Sequence, residues 1–152
     1  MAAEQEKTFN SAYPGSMLWW LDDDIDLCRQ MVSRLRSSGW QVRTFHRPEQ
    51  MLAALQDGRP DLLVLDEPTV GLDPYQIRQV RELITQLADR HTILLSTHIL
   101  SEVEMTCDQA IIINRGKVAL AGPLEDLRSK NQTLEEMFIK LVDREESALA
   151  GG

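Results

Sequence analysis

Two adjacent carboxylates, Asp66 and Glu67, end an unbroken apolar run over residues 62–65 and are followed by a proline and a glycine turn. A short unalternating run with turn residues on both sides is typical of a strand buried on both faces of a parallel sheet. Open α/β folds bind their ligands at the carboxyl edge of that sheet. We therefore expect Asp66 and Glu67 to lie where metal binding or proton transfer can occur.

A second acidic group follows another predicted strand, residues 17–21, which ends in Asp22, Asp23 and Asp24. If the first and third strands are neighbours, these carboxylates meet Asp66 at one edge of the sheet, which core packing does not explain. Mg²⁺ binds to small carboxylate sites and keeps several of its waters there. The pattern predicts a weak magnesium site formed by Asp22, Asp23 and Asp66, with an unused remnant as the alternative.

The elements that must position these groups follow from hydrophobic periodicity. Short apolar runs alternate with segments of helical spacing, which favours an α/β fold with a doubly wound parallel sheet. We expect the flavodoxin-like strand order 2-1-3-4-5, with residues 118–121 as an added antiparallel edge strand. A single domain is predicted over residues 17–144, between a disordered lead-in (1–16) and a frayed tail (145–152).

Composition narrows the classes of function. The chain has 152 residues, a net charge of −8 and a pI of about 4.8, which argues against nucleic-acid binding. It has neither an apolar run of membrane-spanning length nor a leader pattern, so we expect a cytoplasmic protein with no membrane partner. Cys28 and Cys107 are far apart and are expected to be reduced thiols. No partner is indicated with certainty; a monomer is expected, with a strand-swapped dimer as the alternative.

The loop also carries the motifs of a known family. Residues 66–69 read Asp-Glu-Pro-Thr, residues 71–73 read Gly-Leu-Asp, and residues 96–98 read Ser-Thr-His. Over residues 61–142 the chain resembles the second half of an ABC transporter ATPase domain. That resemblance implies that Asp66 is the magnesium-site aspartate, Glu67 the catalytic glutamate and His98 the switch histidine that senses the γ-phosphate.

Over residues 17–66 the chain resembles a different family, the response-regulator receiver domain. The resemblance rests on the βαβαβ pattern, on the acidic pair Asp22 and Asp23, and on Asp66 at the end of the third strand. It implies that Asp66 is a phospho-acceptor and that Thr97 is the hydroxyl residue after the next strand.

Each resemblance lacks part of its family's machinery. The chain contains no G-x-x-x-x-G-K-[ST] phosphate loop and no LSGGQ-like signature, so ATP binding is not expected. The chain is accordingly predicted not to be an enzyme, with Glu67 and His98 as vestigial residues. On the receiver side, residues 110–114 lack the expected lysine, and Lys117 lies beyond the turn.

We interpret the chain as an engineered or recombined chimera, a receiver-like fragment (17–66) joined in the third strand to an ABC-ATPase-like fragment (67–144). It is expected to be a scaffold without a complete parental activity, keeping the weak magnesium site. Two alternatives stay open. One is a signalling module phosphorylated on Asp66, and the other is an ABC-type nucleotide-binding half that needs a partner to supply the phosphate loop.

Overall fold

The computed structural model describes residues 14–127 and 132–150, with the backbone alone for residues 145–150. The strands are β1 (Met17–Leu21), β2 (Gln41–Phe45), β3 (Leu62–Asp66), β4 (Thr92–Ser96), β5 (Gln109–Asn114) and β6 (Lys117–Pro123). The helices are α1 (Ile25–Ser37), α2 (Pro48–Ala54), α3 (Pro74–Ala88), α4 (Leu100–Thr106), α5 (Leu124–Leu127) and α6 (Leu134–Ala150). The chain divides into two compact units, residues 1–96 and 97–152, where the sequence predicted one domain over residues 17–144.

The first unit is built on a four-stranded parallel sheet in the order β2-β1-β3-β4. Strand β3 pairs on one side with β1, where Leu18 lies opposite Leu62, and on the other with β4, where Asp66 lies opposite Ser96. This arrangement confirms the flavodoxin-like α/β class and the first four positions of the predicted strand order.

Side chains from β1 and β3 form the core of this unit. Trp19 is 2 % exposed and Leu63 fully buried, and both belong to a cluster that also includes Met51 of α2 and Ile84 of α3. The Trp19 ring packs against the backbone of Gly58 so closely that a β-carbon at residue 58 would collide with the ring. Burial of each such large apolar side chain stabilises the fold by about 1.5–3 kcal/mol.

The apolar run over residues 93–95 predicts a buried strand, but β4 is not fully buried. Its burial alternates, with Ile93 and Leu95 half-buried against the core and Leu94 51 % exposed. Only the face of β4 that carries Ile93 and Leu95 packs on the cluster.

Strand β5 pairs with β6 in a separate antiparallel sheet of the second unit and not beside β4, where the predicted order placed it. Its burial explains the difference, since Ala110 and Ile112 are buried while Ile111 and Ile113 are more than 60 % exposed. Such alternation is typical of an antiparallel strand with one covered face. The hairpin turns at Arg115 and Gly116, both with positive φ (49° and 73°), as a two-residue turn requires.

The second unit has its own core and its own capping interactions. Ala110, Ile112, Leu124 and Leu134 form the buried cluster. Helix α6 begins with a reciprocal capping box, in which the Thr133 and Glu136 side chains each accept a hydrogen bond from the other residue's amide at 3.2 Å.

The spacing of Ser101 and Glu104 in the sequence predicts a capping box at the start of α4, and this prediction is wrong. Helix α4 begins two residues earlier, at Leu100, with Ile99 as its N-cap and no side-chain cap bond. Glu104, expected to complete that box, accepts a hydrogen bond from the Leu134 amide at 2.8 Å instead. The donor at the start of α6, 30 residues along the chain, is available to this carboxylate because the first amides of a helix have no partner within it.

Several predictions concern the ends of the chain and one internal segment. The lead-in lies outside the described residues up to residue 13, and Gly15 donates to the Gly39 carbonyl at 3.1 Å. The end of the helix predicted after Pro123 also lies outside them, while α6 continues to Ala150. Within residues 14–127 and 132–150, no helix is both long enough and apolar enough to cross a bilayer.

Candidate functional site

Strand β3 carries Asp66 to the carboxyl edge of the first sheet. Leu63 and Leu65 anchor the strand in the core, where they are 0 % and 5 % exposed. Asp66 is the last residue of the strand, is half-buried and lies opposite Ser96 in the register. The predicted position of this carboxylate, at the ligand-binding edge of a parallel sheet, is therefore found.

Glu67 adopts an uncommon backbone conformation directly after the strand. Its φ is +41°, in the left-handed region that non-glycine residues rarely occupy. Its amide donates to the Ser96 carbonyl at 2.8 Å, and its carbonyl accepts from the Val70 amide at 3.2 Å. Strained backbone of this kind costs about 1–3 kcal/mol and is concentrated at functional sites. The sequence contained no signal of this conformation.

The rest of the loop returns the chain to α3. Thr69 is 3 % exposed, and Gly71 has a φ of +77° with open space where a side chain would begin. Asp73 is the N-cap of α3 and forms a reciprocal capping box with Gln76, with distances of 2.9 and 3.1 Å. Asp73 thus fixes the first turn of α3.

Asp22 is the most buried carboxylate at the end of β1. It is 2 % exposed, and its Oδ1 accepts a hydrogen bond from the Asp24 amide at 2.8 Å. Its Oδ2 is buried with no hydrogen-bond partner among the described residues. Asp23 is exposed, and Asp24 is the N-cap of α1. A buried oxygen without a partner is unfavourable, and a cation or a water would relieve that cost.

The pKa of the Cys28 thiol depends on carboxylates at the ends of both β1 and β3. Burial, and then the negative charges of Asp22, Asp24 and Asp66, raise the pKa of this thiol from 9.0 to about 11. Asp22 and Asp66 therefore act on the same thiol from the ends of neighbouring strands, as the predicted strand order requires. The second thiol, Cys107, also has a raised pKa because of burial and then the charge of Asp108.

The carboxylates do not form a ready metal centre. Within the described ranges, no group of three or more His, Cys, Asp or Glu side chains is close enough to hold a metal ion. The magnesium site formed by Asp22, Asp23 and Asp66 stays a prediction. Its best support is Asp22 Oδ2, a buried oxygen that has no other partner in the part of the chain that the structure describes.

The two remaining candidates belong to the second unit. Thr97 follows β4 directly, and its Oγ1 accepts a hydrogen bond from the Ile99 amide at 3.1 Å. His98 is exposed. The hydroxyl of Thr97 thus helps to start α4, and its role beside a phospho-acceptor stays a prediction, as does the role of His98 at a nucleotide.

Comparisons with known proteins bear on these residues. Residues 49–104 match the family described as "AAA domain, putative AbiEii toxin, Type IV TA system". The bacitracin transport ATP-binding protein BcrA of Bacillus licheniformis is 47 % identical over 75 residues, which cover 48 % of this chain and 24 % of BcrA. The ABC transporter ATP-binding protein NatA of Bacillus subtilis is 42 % identical over 87 residues, or 55 % of this chain and 35 % of NatA.

Among solved structures, the chemotaxis response regulator CheY4 of Vibrio cholerae is similar to this chain. The match covers 60 % of this chain and 77 % of CheY4, with 24 % sequence identity and a TM-score of 0.45. The chain spans about a quarter to a third of the length of the ATP-binding proteins. The prediction that the chain is not an enzyme is wrong, because these relatives are ATP-binding proteins of transporters and the family model is an AAA domain. The chain therefore contains an ABC transporter ATPase-like region.

Proposed function

We propose that this chain provides the water-activating part of an ABC-type ATP hydrolysis site, with Glu67 as the general base and Asp66 as the ligand of the nucleotide's magnesium ion. The observation that carries the proposal is the backbone of Glu67, held at positive φ with its amide bonded to Ser96. A loop fixed on two strands orients a carboxylate more firmly than a free surface loop does.

The chemistry assigned to these residues is a proton transfer. Water attacks the γ-phosphorus, the bond from that phosphorus to the β–γ bridging oxygen breaks, and ADP leaves with that oxygen. Glu67 accepts the proton of the attacking water, a contribution worth about 10²–10⁴-fold in rate for a general base. Magnesium would neutralise phosphate charge, and the Asp66 carboxylate, at the edge of the sheet, is suited to hold it.

In this proposal, the groups that bind the phosphates of ATP come from outside these 152 residues. A phosphate loop binds the anion through backbone amides and a lysine, and the sequence contains no such loop. The matched ATP-binding proteins are three to four times longer than the region they share with this chain, as the coverage of 24–35 % implies. A longer polypeptide or a partner would therefore complete the site.

Complementation tests this division of the site. The chain is mixed with the part of BcrA that lies outside the 75 matched residues, and phosphate release from Mg-ATP is measured. Hydrolysis is expected on mixing, and Glu67→Gln should lower it by about 100-fold or more. The matched control is Glu82→Gln on α3, an exposed carboxylate paired with Arg78, which should leave the rate unchanged. Equal rates for Glu67→Gln and Glu82→Gln would refute the role of Glu67.

A second candidate concerns residues 17–66 and is supported by Asp22 Oδ2, the buried oxygen without a partner among the described residues. In this proposal the chain is a recombined scaffold whose receiver-like half keeps a magnesium-dependent phospho-acceptor at Asp66. The carboxylate oxygen of Asp66 would attack the phosphorus of acetyl phosphate, and acetate would leave.

Mass spectrometry after incubation with acetyl phosphate tests this second candidate. A magnesium-dependent gain of one phosphoryl group is expected in the wild type but not in Asp66→Asn. Labelling that persists in Asp66→Asn, or that fails to appear in the wild type, would exclude the phospho-acceptor.

A further inference from the structure

At the opposite end of the first sheet, the segments that lead into β3 and β4 line a cavity of about 490 Å³ that is open to solvent. Its polar lining includes Arg59 and Asp61, which precede β3, and Arg90 and His91, which precede β4. The acidic edge lies at the carboxyl ends of the same five-residue strands, about 15 Å away at the usual rise of a strand. The cavity is therefore separate from the proposed hydrolysis site, and its function is independent of that proposal.

The charges in this cavity oppose the charge of the chain. The net charge of the chain is −8, yet two arginines, Arg59 and Arg90, line the same cavity. Among the described residues, no carboxylate lies within ion-pair distance of the Arg59 or Arg90 guanidinium. The ion pairs found there involve other arginines. The one carboxylate in the lining, Asp61, already accepts a hydrogen bond from the Met17 amide through Oδ2 at 2.8 Å.

His91 is held in a defined orientation beside the arginines. Its Nδ1 lies 3.1 Å from the carbonyl oxygen of Pro60, which is buried. Because a carbonyl oxygen only accepts hydrogen bonds, Nδ1 carries the proton in this contact. The bond joins the segment before β4 to the segment before β3. It holds the two arginine-bearing segments together across the sheet.

We infer that this cavity binds a small molecule through a phosphate group. Guanidinium groups bind phosphate oxygens through paired, charge-assisted hydrogen bonds, and their planar geometry suits a tetrahedral anion. With Arg59, Arg90 and Asp61 the lining has a net charge of +1 and attracts an anion. A phosphomonoester of charge near −2 can accept hydrogen bonds from both guanidinium groups, with the His91 ring as a further polar neighbour. The volume exceeds that of inorganic phosphate and leaves room for a small organic group.

Titration followed by ¹⁵N–¹H correlation spectra tests this inference, with inorganic phosphate and glycerol 3-phosphate as probes and glycerol as the uncharged control. Saturable shifts are expected at the amides of Gly58, Arg59 and Asp61 and of residues 90–92, and none with glycerol. Tighter binding of glycerol 3-phosphate than of phosphate would show that the organic group also contacts the cavity. Equal affinities would restrict the site to the phosphate group.

Variants identify the groups responsible. Arg59→Gln and Arg90→Gln should each weaken glycerol 3-phosphate binding by about tenfold, equivalent to about 1.4 kcal/mol, and the melting point should be retained because both side chains are exposed. Arg78→Gln is the matched control, since Arg78 is an exposed arginine of the same unit paired with Glu82 at 3.0 Å. Equal weakening by all three variants, shifts spread over the whole surface, or no saturation would overturn the inference.

Discussion

The amide of Glu67 donates a hydrogen bond to the carbonyl of Ser96 at 2.8 Å, which extends the pairing of β3 and β4 one residue past the end of β3. The bond holds Glu67 in the left-handed region, with a φ of +41°. An L-residue in that region has its β-carbon too close to its own following carbonyl oxygen. The hydrogen bond to Ser96 thus holds Glu67, the proposed base, in a backbone conformation that is locally unfavourable.

This strain can be measured by comparing two variants that both lack the Glu67 side chain. Glu67→Gly should be more stable than Glu67→Ala by about 1 kcal/mol, because glycine occupies positive φ without steric cost. Urea unfolding of the two proteins provides the difference. If alanine proves as stable as glycine at this position, the loop does not hold residue 67 at positive φ in solution.

Magnesium should stabilise the folded chain if Asp22 and Asp66 share a cation. Like charges at neighbouring strand ends repel, and a cation that binds only the folded state adds RT ln(1 + [L]/Kd) to the free energy of unfolding. We expect millimolar Mg²⁺ to raise the wild-type melting point. Asp66→Asn should melt higher than the wild type without the ion and respond less to it. Asp89→Asn, at the exposed end of α3, is the control. An unchanged wild-type midpoint, together with no gain from Asp66→Asn, would mean that the acidic edge is a remnant.

Alkaline pH should destabilise the first unit through Cys28. The folded state raises the pKa of this thiol from 9.0 to about 11. Between these values the unfolded chain loses the thiol proton while the folded chain keeps it. The unfolded state therefore binds fewer protons, and the free energy of unfolding falls as the pH rises. The loss is complete once the pH has risen past the folded-state pKa.

The Cys28→Ala variant separates this effect from other titrations in the same range. Tyrosine and lysine titrate in both proteins, so the difference between the two stability–pH curves isolates the thiol. The variant should be less stable than the wild type at pH 7, since it loses buried volume, and the gap should narrow toward alkaline pH. Parallel curves across the alkaline range would contradict a raised pKa at Cys28.

The contact between Glu104 and Leu134 should contribute to the stability of the second unit. The Glu104 carboxylate accepts from the Leu134 amide at 2.8 Å, where α6 begins, and Leu134 is fully buried. Glu104→Ala should lower the free energy of unfolding by about 1.5–3 kcal/mol, the value typical of a hydrogen bond to a charged group. Glu125→Ala, which changes an exposed carboxylate of the same unit, should change it by less than about 0.5 kcal/mol. Equal effects of the two changes would indicate a surface contact without energetic weight.

Local chemistry explains which parts of this fold could be predicted. The capping boxes of Asp73 with Gln76 and of Thr133 with Glu136 involve residues three apart, so the sequence alone indicates them. Strand β3 could be predicted because an apolar run bounded by turn residues has few other solutions. The burial of Trp19 could be predicted in the same way, since a large apolar ring within a strand of this kind is most stable in the core.

The remaining features depend on residues that are distant in the chain. Glu104 bonds to Leu134, 30 residues away, and His91 bonds to Pro60, 31 residues away. No local pattern predicts such pairs, and by its local sequence His91 resembles an ordinary surface residue. The pairing of β5 with β6 reflects exposure of one strand face, which is set by the packing of the second unit. The prediction about enzymatic activity failed because it relied on a missing phosphate loop and not on the motifs that were present.

All three tryptophans and both tyrosines lie within residues 1–96, and the second unit contains neither residue type. Trp19 is buried in the first core, where the Arg43 guanidinium lies 5.2 Å from its ring centre. Intrinsic fluorescence is therefore an optical label for one unit only, whereas far-ultraviolet circular dichroism follows the helices of both. Recorded on one sample, the two signals would measure directly whether the two units unfold in a single step.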